Sequence, residues 1–228
     1  MARKTVTDVL TQIASTVNQS ATAPTVGSDE HNLWLQYMNR AQDEWAEAFN
    51  WESLRQHFWP TVTTASLASI SLPDHFDTLA APIQLFKTGS SNPDIYSLII
   101  DEDEDLYEST SLYARLTGDN ATGKTLVFNP PTMASGASLY IQYFASPSTL
   151  SHASQYIIMD DSQFIVDRTI AYIFESRSDP RFQIEETKAR ERLLSMVEGA
   201  NEAKYSSYAS VSYVPSTLGR AKFRVGRD

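Results

Sequence analysis

The period of the apolar positions changes twice along this chain. Between Thr5 and Gln19, Val6, Val9, Leu10, Ile13 and Val17 recur at i, i+3, i+4 spacing, which predicts a helix with Thr7 and Asp8 as caps. "SATAPTVGS" breaks that pattern with Pro24 and Gly27. Ser28 or Asp29 then caps a second predicted helix of about 20 residues. Its apolar stripe is Leu33, Trp34, Tyr37, Met38, Ala41, Trp45 and Phe49, with Gln42, Asp43 and Glu47 expected to face away. At "HFWPTVTTASLASISLP" the period falls to two, and Val, Thr, Ile and Phe alternate between Pro and Gly punctuation. This predicts strands near 57–63, 66–72, 83–88, 95–100, 111–117, 124–128 and 137–145, with "LPDHFDTLA" as a turn or short helix.

From Ile157 the helical period returns. "DDSQFIVDRTIAYIFESRSD" opens on a cap zone, Asp160 to Ser162, and carries Phe164, Ile165, Ile170, Ile173 and Phe174 on a broad apolar face. A fourth helix starts after Ser178 or Asp179, with Pro180 at its first position and Leu193, Leu194 and Val197 further on. The expected fold class is α+β: a helical bundle made from residues 1–57 and 157–205, with a mostly antiparallel β module, 58–156, inserted between them. The antiparallel expectation rests on links between strands that look too short for helical crossovers. Residues 206–228 show no helical stripe and are expected to form an extended C-terminal arm.

Charge sharpens the picture of that arm. The chain has a formal net charge of −10, which argues against a nucleic-acid-binding face. The arm, however, carries Arg220, Lys222, Arg224 and Arg227 against Asp228 alone. A basic arm on an acidic body reads as a segment that docks on another molecule, with Tyr208, Tyr213 and Phe223 as its aromatic contacts. There are no cysteines, which excludes disulfides, thiolate chemistry and Cys-ligated zinc. The start of the chain lacks the apolar run of a secretory signal, and no stretch approaches the roughly 18 apolar residues of a membrane span. Synthesis in a cytoplasm is the expectation, with no membrane partner.

Residues 118–125, "GDNATGKT", match the phosphate-cradling pattern G-x-x-x-x-G-K-[ST]. In such a loop Lys124 would neutralise phosphate and Thr125 would hold magnesium, with Asp160 and Asp161 after "YIIM" as the downstream acid. That chemistry needs a helix immediately after the loop. Here "LVFNPP" follows, so the segment is predicted to be a hairpin turn with Lys124 as a solvated edge residue, and the two aspartates to be a helix cap. A nucleotide-binding enzyme using Gly118–Thr125 stands as the alternative reading. "DEDED" at 101–105 alternates carboxylates but lacks the Gly and Glu that a calcium loop needs, and reads as a solvated connector. His31, His57, His75 and His152 are scattered without metal-ligand spacing. The aromatic group Trp45, Phe49, Trp51, Phe58 and Trp59 is expected to form core where the bundle meets the β module. No catalytic, cofactor or metal residue is assigned.

The order of elements adds a family likeness. "RAQDEWAEAFNWESLRQ" leads from a long helix into short strands. "LPDHFDTL", "LVFNPPTMASGASLYIQYFASPSTLS" and a helical pair from "MDDSQFIVDRTIAYIFESRSDPRF" follow. Over roughly residues 5–205 this resembles the head-to-tail adaptor (connector, tail tubular type) proteins of tailed bacteriophages. The resemblance implies a non-enzymatic virion protein at the head–tail junction, made in the host cytoplasm. It implies a ring of twelve subunits that joins the portal protein to a tail, tail-terminator or nozzle protein, around a channel through which DNA passes without specific binding. It also implies that Tyr208, Tyr213, Arg220, Lys222, Phe223, Arg224 and Arg227 reach the portal. A tail-fibre or baseplate module is the second structural alternative.

Overall fold

In the computed structural model, residues 3–61, 69–87, 92–99, 112–119, 123–129 and 136–211 are described, with side chains as far as residue 202. The fold is α+β, and the described residues form four α-helices, a single-turn 3-10 helix at Glu52–Leu54 and one curled sheet. Helix α1 (Val6–Val17) starts two residues earlier than Thr7 suggests. Thr5 is its cap, and Thr5 and Asp8 satisfy each other's backbone amides in a capping box. Helix α2 (Asp29–Ala48) is capped by the Ser28 hydroxyl, as its sequence predicts. Helix α3 (Gln163–Ser176) is buried around almost its whole circumference. It is therefore the central helix, packed against α1, α2 and α4 (Phe182–Val211). Side chains from all four helices share one apolar cluster, centred on Leu10, Trp34, Met38, Trp45, Phe164 and Phe174.

Two laces bring the chain's first and last thirds together. Val6 donates its amide to Gln155, and Ile157 donates to Lys4, so the N-terminal segment pairs with the approach to α3. The Asn39 side chain both accepts from and donates to the Leu150 backbone, at 2.7 and 3.0 Å. Gln42 is buried and donates to Ser148. Placing Gln42 on the exposed face was wrong, because its amide is needed to satisfy the loop carbonyl that α2 covers.

The sheet consists of β1 (Arg55–Phe58), β2 (Ser69–Ser71), β3 (Phe76–Leu79), β4 (Ile83–Phe86), β5 (Asp94–Ile99), β6 (Tyr113–Thr117), β7 (Thr125–Asn129) and β8 (Ser138–Ala145). Strand β8 is the spine. It pairs with β1 along one edge, and with β4 and then β3 along the other. From β4 the order continues β5-β6-β7-β2. Every pairing is antiparallel except β5 with β6, which is parallel. Inward residues alternate strictly along β8, and Leu139, Ile141 and Tyr143 meet Ile83, Tyr96, Leu126 and Phe128 in a second apolar cluster.

Two expectations are corrected here. "LPDHFDTLA" is a turn only in its first half, at Asp74 and His75, and Phe76–Leu79 is a strand held by β8. Residues 206–211 are not extended either, because α4 runs without a break to Val211. Residues 101–105 and 212–228 lie outside the described residues.

Candidate functional site

The phosphate-loop match is a hairpin. Gly118 and Gly123 flank the turn between β6 and β7, both with φ of +85°, a conformation open mainly to glycine. At Gly118 even a Cβ would stand 2.2 Å from the Gly123 carbonyl oxygen, so the two glycines permit the ends of the turn to close. Thr125 begins a strand, and no helix presents its N-terminus to the loop. Lys124 is not a solvated edge residue. Its ammonium donates to the backbone carbonyls of Phe76 and Asp77, at 3.1 and 3.2 Å, and lies over the Phe76 ring. Those bonds tie the β7 end of the sheet to β3 and hold the sheet in its curl. Lys124→Ala should therefore cost about 1–2 kcal/mol, seen as a melting temperature lower by roughly 3–6 °C. An unchanged melting temperature would show that the curl does not depend on this contact. The expected aspartate cap holds only in part: Ser162 stands at the N-cap of α3 without a side-chain capping bond, and Asp161 just before it accepts from the Gln163 amide.

The aromatic group divides in two. Trp45 and Trp51 are buried and stacked at 5.0 Å, with Phe49 edge-on to Trp51. Phe58 packs against the sheet cluster. Trp59 is 57% exposed on the sheet's outer face, against Tyr140 (4.2 Å between ring centres) and Phe86. Its assignment to the core was wrong, because the chain stays extended beyond β1 and the parity that turns Phe58 inward turns Trp59 outward. His57 stacks on Tyr140 beside it, and His75 bonds Gln56 and Tyr143. Among the described residues no three His, Asp or Glu side chains gather as a metal site.

A cleft of about 900 Å³ opens where the helices meet the sheet. Trp45, Phe49 and Trp51 form one side, and Leu79, Ala80 and Phe144 of the sheet another. Met196, Gly199 and Ala200 bring α4 to it, and Glu52, Arg55, Asp160 and Asp161 supply its charges.

Sequence reasoning missed an ionic cluster that fixes three helices together. Arg168 on α3 reaches Glu44 on α2 at 2.6 and 3.2 Å, and also bonds Glu186 on α4. Tyr172 donates to the same Glu44, and the Arg40 guanidinium lies over the Tyr172 ring at 4.2 Å. Burial alone would raise the Glu44 carboxyl, but Arg168, Tyr172 and Arg40 together hold it below its ordinary value. Burial, and then the bond to Glu44, push the Tyr172 phenol far above its ordinary value and keep it a donor. A second cation, Arg192 on α4, bridges Asp161 and Asp167 at 2.9 Å each. One signal was available: "VDR" interrupts an otherwise apolar run, and charges inside such a run need partners.

A family model described as the SU10 adaptor protein matches residues 4–212. The chain belongs to the SU10 adaptor protein family. The likeness to adaptor proteins read from residues 5–205 is thus a membership that spans nearly the whole chain, including the helix through Val211. No curated protein matches this adaptor in sequence. Among solved structures it is similar to a chain described under "Neck of empty GTA particle computed with C6 symmetry". The identity is 15%, over 76% of this chain and 84% of that one, with a TM-score of 0.28. That likeness is too distant to transfer a fold or a role. Of the residues expected to reach a partner, Tyr208 lies on α4, while Tyr213, Arg220, Lys222, Phe223, Arg224 and Arg227 fall outside the described residues. No helix among the described residues is long and apolar enough to cross a membrane.

Proposed function

We propose that this adaptor is a structural virion protein of the neck of a tailed phage or phage-like particle. Copies form a closed ring, twelve in number, between the portal protein and the tail. The observation that carries this reading is the adaptor family's match to residues 4–212. The charge distribution supports it. Duplex DNA carries one negative charge per ~1.7 Å of axis, and an acidic channel wall lets it pass without adhering. Ring closure uses heterologous contacts, in which one surface meets a different surface of the neighbour. The basic segment after Val211 engages the portal through Arg220, Lys222, Arg224 and Arg227, with Tyr208, Tyr213 and Phe223 as apolar contacts. The outer face of the sheet, with Trp59, Phe86 and Tyr140, is offered to the tail-side protein.

The nucleotide-binding alternative loses its support, because Lys124 is committed to the Phe76 and Asp77 carbonyls and a strand follows the loop. A cryo-EM reconstruction of the neck tests the proposal. The expected result is a closed ring directly beneath the portal, with density for residues 212–228 running onto it. A particle with this chain absent from the neck, or placed in a baseplate, overturns the reading.

A further inference from the structure

The cleft between α4 and the sheet specifies the chemistry of what fills it. Its floor is apolar and aromatic, from Trp45, Phe49, Trp51 and Met196. Its charged rim is acidic: Glu52, Asp160 and Asp161 stand against Arg55 alone. Glu52 is shared with Arg55, and Asp161 with Arg192, while Asp160 has no paired cation among the described residues. At Gly199 a Cβ would meet nothing within 4 Å, so the surface of α4 opens at that point. The occupant must therefore bring cations and apolar side chains together. A short stretch of peptide does this.

We propose that the cleft docks the chain's own C-terminal segment, residues 220–225, before assembly. Its sequence alternates cations with apolar residues: Arg220-Ala221-Lys222-Phe223-Arg224-Val225. The cations answer the acidic rim, and Phe223 answers the aromatic floor. The reach is sufficient. Helix α4 carries the chain from Ala200 to Val211, about 17 Å at 1.5 Å per residue. Residues 212–220 span up to roughly 30 Å when extended, enough to return. The same cations are those proposed for the portal, so docking in the cleft and docking on the portal exclude each other. The inference concerns the unassembled chain and does not depend on the ring or on the portal.

The tether sets the expected effect. A short linker gives an effective concentration on the order of 1 mM, so a free-peptide Kd of ~50 μM would leave the cleft about 95% filled and weaken an added peptide about 20-fold. The experiment uses a fluorescent peptide of residues 216–228 and two proteins, the full chain and a chain ending at Val211. By anisotropy, the shortened protein should bind the peptide at least ten times more tightly than the full chain. In the shortened protein, Gly199→Leu should fill the cleft and abolish binding without lowering helicity, since Leu is the better helix former. Asp160→Lys should weaken binding several-fold while leaving the fold intact. Equal binding by the full and shortened proteins overturns the assignment to the chain's own segment. Unchanged binding by the Gly199→Leu or Asp160→Lys variant overturns the cleft as its site.

Discussion

A chain cut after Val211 should fold normally and lose its attachment to the portal. Normal folding is expected because the apolar clusters are complete without the missing segment. The helical cluster ends at Ala200 and the sheet cluster at Ala145. Loss of attachment is expected because the cut removes four cations and one anion, taking the formal charge from −10 to −13. If two of the four cations act as hot spots at roughly 2 kcal/mol each, their loss weakens binding about a thousand-fold. Co-sedimentation of the shortened protein with portal-bearing heads is the readout, beside a melting curve that shows the fold retained. Attachment of the full chain should also weaken steeply as salt rises from low to physiological strength, since charge pairs at the rim of an interface are screened. Undiminished attachment by the shortened protein would move the portal contact onto the folded body. The cut belongs at Val211 and not at 206, because residues 206–211 complete α4.

Helices α1, α2 and α3 were legible because their apolar stripes have period 3.6 and a Ser28 hydroxyl marks the start of α2, while the Thr5–Asp8 box that opens α1 was read two residues late. Most strands were legible for a similar reason, since alternation survives wherever one face of the sheet is buried. What failed was decided by distant partners. Phe76–Leu79 is a strand only because β8 offers it an edge, and its own sequence, with Pro73 and Asp74 just before it, reads as a turn. The parallel pairing of β5 with β6 escaped because the link of 13 residues between them looks like a hairpin connection in one dimension. The helix through Val211 escaped because its last two turns carry no apolar stripe. The cleft was invisible for a stronger reason: its walls come from α2, α4, the β1 junction and β8, and only the fold brings them together. Adaptor character was legible because it resides in the order of elements, which the sequence displays directly.

Arg168→Ala should be the most damaging single substitution outside the apolar core. Its side chain is 16% exposed, and the guanidinium sits between Glu44 and Glu186, side chains that are themselves only 32% and 24% exposed. Removing the cation takes the nearest counter-charge from two partly desolvated carboxylates, leaving Glu44 to Tyr172 and Arg40 and Glu186 to Arg190. Breaking a fully buried pair costs about 3–5 kcal/mol, and partial exposure reduces that to about 2–3 kcal/mol here. For a chain of this length the melting temperature should fall by roughly 5–10 °C. The sign of the pH dependence follows from Glu44. In the parent its carboxyl is held below the ordinary value, so its stabilisation is complete above the ordinary carboxylate range and fades as pH falls through the lowered value. In the variant the largest of the groups that lower it is gone, so the carboxyl rises from its position in the parent and protonation at acid pH costs less. The gap between parent and variant should therefore be widest near neutral pH and narrow toward pH 4. Glu44→Gln added to Arg168→Ala should recover part of the loss, because the charge is removed with its nearest partner. If the two single losses simply add, the cluster does not act as a unit. The consequence for assembly is mechanical: this cluster joins α2, α3 and α4, and α4 is the element from which the C-terminal segment departs. A loosened α4 should lower portal attachment at temperatures where the rest of the chain is still folded.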